Sequence, residues 1–220
     1  MFARLRFKRA LRALADSEHA CLRNYANADW PDRKAAATEG RFLALDFELD
    51  GLRKDAHLLQ AGWLPFEGHM IALQQAYGAD IRSDAQLDDT AVTIHGIGEQ
   101  RAADGRPIGE VITHLIEALS GRILVAHAAG IERHALMRAA QSLFGVSLPI
   151  RSICTLELER KLNPNLVGQQ VYRLANARTR YGLPQYRAHD ALTDALAAAE
   201  LFQAQLSRIG NDTSLASLEA

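Results

Sequence analysis

The chain has 220 residues, a formal net charge of −1 and a hydrophobic fraction of 48%. This composition fits one domain of ordinary size plus an extension, with enough apolar residues for a sizeable core. The near-zero charge excludes a protein that holds nucleic acid by bulk positive charge, so any such contact must be local and helped by bound cations or a partner.

Cysteine usage and hydropathy bear on the compartment. Cys21 and Cys154 lie far apart, which predicts neither a disulfide framework nor a cysteine-rich zinc site and favours a reducing environment. The sequence shows no apolar run of the roughly 18 residues that a membrane helix needs. Charges interrupt the N-terminal region, so it lacks the apolar core of a secretory signal. A cytoplasmic location is therefore expected.

The N-terminal region is predicted to be a basic helical extension. Residues 2–24 place apolar side chains at helical spacing among several arginines and a lysine. We expect this helix to pack on the domain surface, with a docking or nucleic-acid-binding arm and a disordered segment as the alternatives. The predicted organisation is an extension and linker over residues 1–38, a main domain over 39–210 and a flexible tail over 211–220.

The main domain alternates between strand-like and helix-like segments. Strands are predicted over residues 41–49, 57–66, 69–77, 122–126 and 150–154, the second and third forming a hairpin. Helices are predicted over residues 107–119, 130–143, 155–162, 171–181 and 190–207. This order predicts an α/β fold with a five-stranded mixed sheet flanked by helices.

Two carboxylates lie near the end of the first predicted strand. Asp46 and Glu48 are two residues apart, so their side chains point to the same face of the sheet. Burying two adjacent carboxylates is costly, and a bound cation would relieve the cost. Oxygen ligands of this kind suit Mg²⁺ or Mn²⁺. Without further partners, the pair would more often be two solvated acids.

Two further segments carry candidate site residues. Glu132 lies early in the helix that follows the strand ending at Ala126, and ligands in open α/β sheets bind at the carboxyl ends of strands. His189 comes just before the last helix, and Asp194 lies in its second turn. A histidine beside a cation site can act as a general base. The simpler alternatives are a surface acid for Glu132 and a polar cap for His189.

Taken together, these segments resemble the DEDDh exonuclease family, which has an RNase H-like fold and includes the epsilon-like proofreading subunit of bacterial DNA polymerase III. The resemblance spans about residues 41–205. The matching segments are Asp46-Phe47-Glu48-Leu49-Asp50-Gly51-Leu52, Ile94-His95-Gly96-Ile97, Leu124-Val125-Ala126-His127-Ala128-Ala129, and the H-x4-D pair His189 and Asp194.

The resemblance implies a metal-dependent 3′–5′ exonuclease that releases nucleoside 5′-monophosphates from single-stranded DNA or RNA ends by a two-metal mechanism. Two Mg²⁺ or Mn²⁺ ions are the implied cofactors, and a polymerase or another protein is a candidate partner. The implied metal ligands are Asp46, Glu48, Glu132 and Asp194, with His189 as the base. The implied substrate-binding residues are Phe47, Leu49, Gly51, Leu52 and His127.

The chain departs from the family pattern at several positions. Glu132 stands where the family has Asp, Leu49 and Asp50 replace two threonines, and Ala128 replaces an asparagine. We expect Asp50 to add negative charge near the phosphate path and weaken binding. These departures leave open a catalytically weakened nucleic-acid-binding or polymerase-associated subunit with the same fold.

Two other site assignments compete for the third segment. Tyr186 and Asp190 have the Y-x3-D spacing of the sister DEDDy group, although the alanine-rich helix around Asp194 matches the histidine group better. Tyr186 is then expected to be a packing aromatic. An HD-type phosphohydrolase, suggested by His189-Asp190, would need a mainly helical scaffold, which the strand-rich first half of the chain disfavours.

Overall fold

The computed structural model describes residues 2–51, 53, 56–83, 96–210 and 212–219. Within these ranges the strands are β1 (Arg41–Leu49), β2 (Leu58–Glu67), β3 (Met70–Ile71), β4 (Tyr77–Asp80), β5 (Ile123–Ala126) and β6 (Ser152–Cys154). The α-helices are α1 (Phe2–Leu14), α2 (Ala20–Asn27), α3 (Glu99–Ala103), α4 (Ile108–Leu119), α5 (Gly130–Phe144), α6 (Thr155–Leu162), α7 (Leu174–Arg180), α8 (Ala191–Ile209) and α9 (Leu215–Leu218). None of these helices is both long and apolar enough to span a membrane.

The strands form one mixed sheet in the order β3-β2-β1-β5-β6, with β4 also paired to β2. β1 is central, antiparallel to β2 and parallel to β5. The predicted mixed α/β fold is confirmed, but the described sheet has six strands rather than five. The single strand predicted over residues 69–77 was wrong, because a turn at Leu73–Gln75 separates β3 from β4. Met70 and Leu73 are exposed, so their apolar side chains do not mark a buried strand.

The two faces of β1 carry different side chains. Leu43, Leu45 and Phe47 pack in the core that also includes α4 and α5. On the other face, Phe42 packs edge-on against Phe202 of α8, with ring centroids 5.0 Å apart. Because side chains alternate along a strand, Asp46 and Glu48 continue the Phe42 face. The acidic pair therefore lies beside α8.

A glycine lets α8 lie directly on the sheet. Gly62 of β2 pairs in register with Asp46, and a Cβ at this position would overlap the backbone of Ala191 and Leu192. The first turn of α8 is also tied to β2, because the backbone N–H of Ala191 donates to Gln60 Oε1 at 2.8 Å. Gly62 thus brings the start of α8 over the acidic end of β1.

Substituting Gly62 tests this close approach. Gly62→Ala is expected to lower the free energy of unfolding by about 1–3 kcal/mol, because an added methyl group must displace helix backbone. It should also slow the nuclease reaction that the sequence resemblance implies, because the first turn of α8, which carries Asp194, would move with its backbone. Chemical denaturation and rate measurements check both effects. Gly98→Ala is the matched control, since a Cβ there meets nothing and its φ is −81°. Equal stability of the two variants would contradict the prediction.

The N-terminal region packs against the main domain. The single helix predicted over residues 2–24 is two helices, broken after Leu14, where Ser17 Oγ accepts a hydrogen bond from the backbone N–H of His19 at 3.2 Å. Leu11 and Leu22 are buried in the same core as α4. The hydroxyl of buried Tyr25 donates to the carbonyl of Pro149 at 2.6 Å. The extension therefore has fixed contacts with the domain it precedes.

Residues 212–219 are packed, unlike the flexible tail predicted for this segment. Leu215 and Leu218 are buried in the core beneath α8. Glu219 forms ion pairs with Arg151 at 2.5 Å and Arg33 at 3.4 Å. Two leucines three residues apart are too few to show a helical period, so this packing could not be predicted from the sequence.

Candidate active site

The structure brings the predicted acidic residues and His189 to one place. Potential ligand atoms of Glu48, His189 and Asp194 all lie within 4.8 Å of one another. Asp46 lines a cavity of about 750 Å³ together with His189 and Asp194. Glu132 lies near enough for its negative charge to raise the pKa of Asp46. Acidic side chains from β1, α5 and the start of α8 therefore form one cluster around Asp46, and Asp46, His189 and Asp194 open it to the cavity.

Burial and mutual repulsion raise the pKa values of the clustered acids. Burial raises the pKa of Asp46 well above its usual value, and the charges of neighbouring carboxylates raise it further. Burial is also the main cause that raises the pKa of Glu48 to about 7 and that of Glu132 to about 8. The pKa of Asp194 is raised by burial, against the opposing hydrogen bond from the backbone of His189. Carboxylates this close can all ionise only if positive charge enters the site.

Glu132 provides an independent indication of a missing ligand. Its side chain lies in the first turn of α5 and is only 4% exposed. Within the described part of the chain, its Oε2 atom is buried and has no hydrogen-bond partner. A buried carboxylate oxygen without a partner is costly, and a cation or a cation-bound water would satisfy it. The residues present therefore fit a divalent cation with oxygen ligands.

The backbone around His189 fixes its position beside Asp194. His189 has a φ of 68°, in the left-handed region where histidine is found more often than most residues. Its backbone N–H donates to Asp194 Oδ2 at 2.8 Å, while its side chain reaches the cavity. The imidazole is thus accessible to a reactant within the cavity.

The competing tyrosine assignment is not favoured by the contacts of its two residues. The Tyr186 hydroxyl donates to Glu200 Oε1 at 2.9 Å, and its ring lies 4.5 Å from the Arg178 guanidinium. Asp190 caps α8 by accepting from the backbone N–H of Thr193 at 3.0 Å and from its hydroxyl at 2.8 Å. Both side chains already have structural partners, which leaves His189 as the better candidate for proton transfer.

His127, predicted to contact substrate, has both ring nitrogens engaged by the protein. Nε2 lies 2.9 Å from the carbonyl of Tyr172, and Nδ1 lies 2.9 Å from Thr155 Oγ1. A carbonyl only accepts, so Nε2 carries the hydrogen and Nδ1 accepts from the hydroxyl. Burial lowers the pKa of His127 to about 4, which keeps the ring neutral. The next residue, Ala128, has a φ of 73°, a conformation that explains why asparagine is common there.

The remaining residues of the first motif differ in their surroundings. Phe47 is buried in the core on the opposite face from the acids, so only its backbone is near the site. Leu49 lines a second pocket of about 360 Å³, together with Ile131 and His134. Gly51 has a φ of 153°, which favours glycine. Leu52 lies outside the described residues, as do Ile94 and His95 of the second matching segment.

Asp50 does not face the phosphate path, so the expected repulsion was wrong. Its side chain is 2% exposed and accepts hydrogen bonds from the backbone N–H of His57 at 2.8 Å and from His57 Nδ1 at 2.7 Å. Arg53 Nη2 lies 3.4 Å from Oδ2, the same Asp50 oxygen that His57 Nδ1 contacts. Asp50 therefore ties the end of β1 to the start of β2, and its charge is directed into the protein.

Some cavity-lining residues were missed by the sequence patterns. Arg160, Gln169, Tyr172 and Arg173 line the large cavity together with Asp46, His189 and Asp194. Arg160 belongs to α6, as predicted, but the helix predicted over residues 171–181 begins only at Leu174, after a turn at Gln170–Tyr172, and a helical pattern does not show which side chains reach a cavity. Gly62 was also missed, because its role depends on its register opposite Asp46, and a pairing register is not visible in a single sequence.

The fold and the acidic cluster define an RNase H-like nuclease of the DEDDh type. The RNase_T family, described as exonuclease, matches residues 43–202, and the chain belongs to this exonuclease family. Solved structures with the same fold include the E. coli exonuclease I–single-stranded DNA complex in its zinc-bound form, with a TM-score of 0.68 and 16% identity over 77% of this chain and 41% of that one. The nuclease domain of 3′hExo, a DEDDh member bound to rAMP, has a TM-score of 0.65 and 14% identity over 81% of this chain and 96% of that one.

Several sequence relatives are bacterial DNA polymerase III proteins. The chain is 27% identical to the PolC-type DNA polymerase III of Thermotoga maritima over 74% of its own length, but it spans only 12% of that protein. It is 24% identical to the DNA polymerase III epsilon subunit of Aquifex aeolicus, over 74% of this chain and 79% of that one.

Proposed function

We propose that the protein is a 3′–5′ exonuclease that hydrolyses phosphodiester bonds of DNA or RNA and releases nucleoside 5′-monophosphates, with two Mg²⁺ or Mn²⁺ ions as cofactors. The observation that carries the proposal is the cluster of carboxylates from β1, α5 and α8 with His189, of which Asp46, Asp194 and His189 line a large cavity. The family membership and the orphaned oxygen of Glu132 support it.

The side chains divide into cation ligands and a base. Asp46, Glu48 and Asp194 would hold one ion, and Asp46 and Glu132 the second, with Glu132 acting directly or through water. When bound, two such ions stabilise charge on the attacking and leaving oxygens of phosphoryl transfer. His189 takes a proton from the water that attacks phosphorus, and the 3′ oxygen of the upstream nucleotide leaves. Asp194 also holds His189 in place through its backbone N–H.

The pocket beyond Leu49 supports cleavage at a chain end. Leu49 directly follows Glu48, and the walls of this pocket are mainly apolar, with Ile131 and Ala135 from α5. An apolar pocket that begins at Leu49, the residue after Glu48, suits a terminal nucleoside, while the larger and more polar cavity lined by Asp46, His189 and Asp194 suits the rest of the strand. This arrangement favours removal of single nucleotides over internal cleavage.

The relatives suggest candidate substrates and partners. The exonuclease I structure contains single-stranded DNA, and exonuclease X was solved with 5′-overhanging duplex DNA. Another relative, over 48% of this chain, is RNA exonuclease 4 of Aspergillus fumigatus. Single-stranded 3′ ends are therefore the proposed substrates, and a DNA polymerase is a candidate partner because relatives are polymerase components.

Digestion of end-labelled oligonucleotides tests the proposal. Single-stranded DNA and RNA, labelled at either end, are incubated with Mg²⁺, Mn²⁺ or EDTA. We expect 5′-labelled substrate to shorten one nucleotide at a time, 3′ label to appear at once as mononucleotide, and EDTA to stop both reactions. Immediate release of mononucleotide from the 5′ label would overturn the proposed polarity.

The alternative of a weakened, binding-only subunit depends on Glu132. If folded wild-type protein binds oligonucleotides but cleaves none of them, the alternative replaces the exonuclease proposal. In that case Glu132→Asp, which restores the family's shorter acid, is the first variant to assay. Because Glu132 is buried within reach of Asp46, we expect the wild-type side chain to support activity without this change.

A further inference from the structure

The wall of the large cavity opposite the acids is rigidly held. Its irregular segment includes the turn Gln170–Tyr172, whose three successive carbonyls each accept a side-chain hydrogen bond. Gln170 accepts from Asn176 at 2.8 Å, Val171 from Arg180 at 2.7 Å and Tyr172 from His127 at 2.9 Å. This segment is tied to α7 and to the end of β5, so the residue that follows it has a fixed position.

The residue at that position is Arg173. It is exposed and lines the same cavity as Asp46, His189 and Asp194. Its side chain has no hydrogen-bond or ion-pair partner in the described ranges. Arg160 lines the cavity too, but it is paired with Glu157 at 2.7 Å. Arg173 is therefore the cation of this wall whose charge is available to a ligand.

We propose that Arg173 binds the phosphate immediately 5′ of the scissile phosphate, so that the preferred substrate carries at least two consecutive charged phosphates. This inference rests on the proposed exonuclease function. A guanidinium suits a phosphate because it can donate two parallel hydrogen bonds.

The parts of the substrate assigned to the two cavities determine which phosphate Arg173 contacts. The scissile phosphate lies at the acids and His189, because the reaction takes place there. The terminal nucleoside occupies the pocket beyond Leu49, on the α5 side. The upstream strand must then leave through the large cavity, and its first phosphate passes the wall that carries Arg173. The positive charge of Arg173 also offsets the repulsion between the anionic strand and the acidic cluster.

A substrate with one neutral linkage tests the assignment directly. Two 5′-labelled oligothymidylates are compared in Mg²⁺, one all-phosphodiester and one with a methylphosphonate at the second linkage from the 3′ end. For the wild type, the neutral linkage should slow release of the first nucleotide by about tenfold or more, the usual worth of a charge-assisted hydrogen bond. Arg173→Gln should slow the all-phosphodiester substrate to a similar degree and show no further loss on the methylphosphonate.

The non-additivity of the two changes is the decisive result, because a misfolded variant would slow both substrates equally. Arg160→Gln is the matched control in the same cavity and should keep its sensitivity to the neutral linkage, since Glu157 already pairs that arginine. The cleavage rate of Arg173→Lys should remain partly sensitive to the neutral linkage. Independent, additive losses for Arg173→Gln, or an equal loss of sensitivity in both glutamine variants, would overturn the assignment. Absence of wild-type cleavage on both of these substrates and on the RNA oligonucleotides of the digestion assay would instead refute the exonuclease proposal.

Discussion

Replacing Asp46 with asparagine is expected to lower the rate of nucleotide release by at least about 10³-fold, because metal-ion catalysis contributes several kcal/mol to such reactions. Asp46 is central to the cluster, since Glu132, Asp194 and Glu48 all act on its pKa. The variant should also lose cation binding, which calorimetric titration with Mn²⁺ can measure. A variant that kept near-wild-type cleavage would refute the site assignment.

The same substitution is expected to stabilise the cation-free protein at alkaline pH. An acid whose pKa is raised by folding contributes stability that is present at low pH and lost as the pH rises through the folded value. With the pKa of Glu48 at about 7 and that of Glu132 at about 8, the cation-free wild type should lose stability between pH 5 and pH 8. Asp46→Asn removes one charge from the repulsive group, so this loss should be smaller.

Thermal unfolding in EDTA at several pH values checks this second effect. Mg²⁺ at pH 8 should then raise the Tm of the wild type more than that of the variant, because the ion binds the folded state. Asp212→Asn serves as the control, since Asp212 is exposed and outside the cluster. If the Tm of the wild type and that of Asp46→Asn fell equally with rising pH, the acids would not destabilise one another.

Replacing His189 with alanine is expected to slow cleavage by about 10²–10⁴-fold, the usual contribution of general acid–base catalysis, while cation binding is retained. The prediction separates two roles that the geometry allows. A ring nitrogen of His189 lies within 4.8 Å of ligand atoms of Glu48 and Asp194, so it could either ligate a cation or receive a proton.

Measuring rate and cation affinity on the same variant distinguishes these roles. Loss of activity with unchanged Mn²⁺ affinity supports the base, whereas a parallel loss of both would make His189 a ligand. His69→Ala is a suitable control, because His69 is exposed in the turn before β3.

The acidic pair of β1 could be predicted because its spacing follows the period of a strand, whereas Glu132, His189 and Asp194 were joined to it by the resemblance to the exonuclease family. Asp46 and Glu48 are two residues apart on a strand, and their shared face is confirmed by the packing of Phe42 against α8. The helix α4 was also predicted closely, because its apolar residues recur at helical spacing over three turns. In both cases a local period determines which side chains face inward.

Features that depend on distant pairing were missed or misjudged. Asp50 looked like a charge beside the substrate, yet it turns inward to His57, a contact made only when β1 and β2 pair. The need for glycine at position 62 could not be predicted, because it arises from close contact with the backbone of Leu192, far along the chain. Arg173 was predicted to lie within a helix over residues 171–181, but it precedes α7, and hydrogen bonds from Asn176, Arg180 and His127 hold the turn before it against the cavity.

The contact between Gly62 and the first turn of α8 has a consequence for the timing of synthesis. Asp46 and Glu48 emerge from the ribosome early, but His189 and Asp194 belong to the last long helix, and chains are made from the N-terminus. A nascent chain therefore carries half of the acidic cluster without the residues that complete it. The acidic cluster is therefore complete only after α8 has left the ribosome and has docked on the sheet, and we expect an unfinished chain to be inactive.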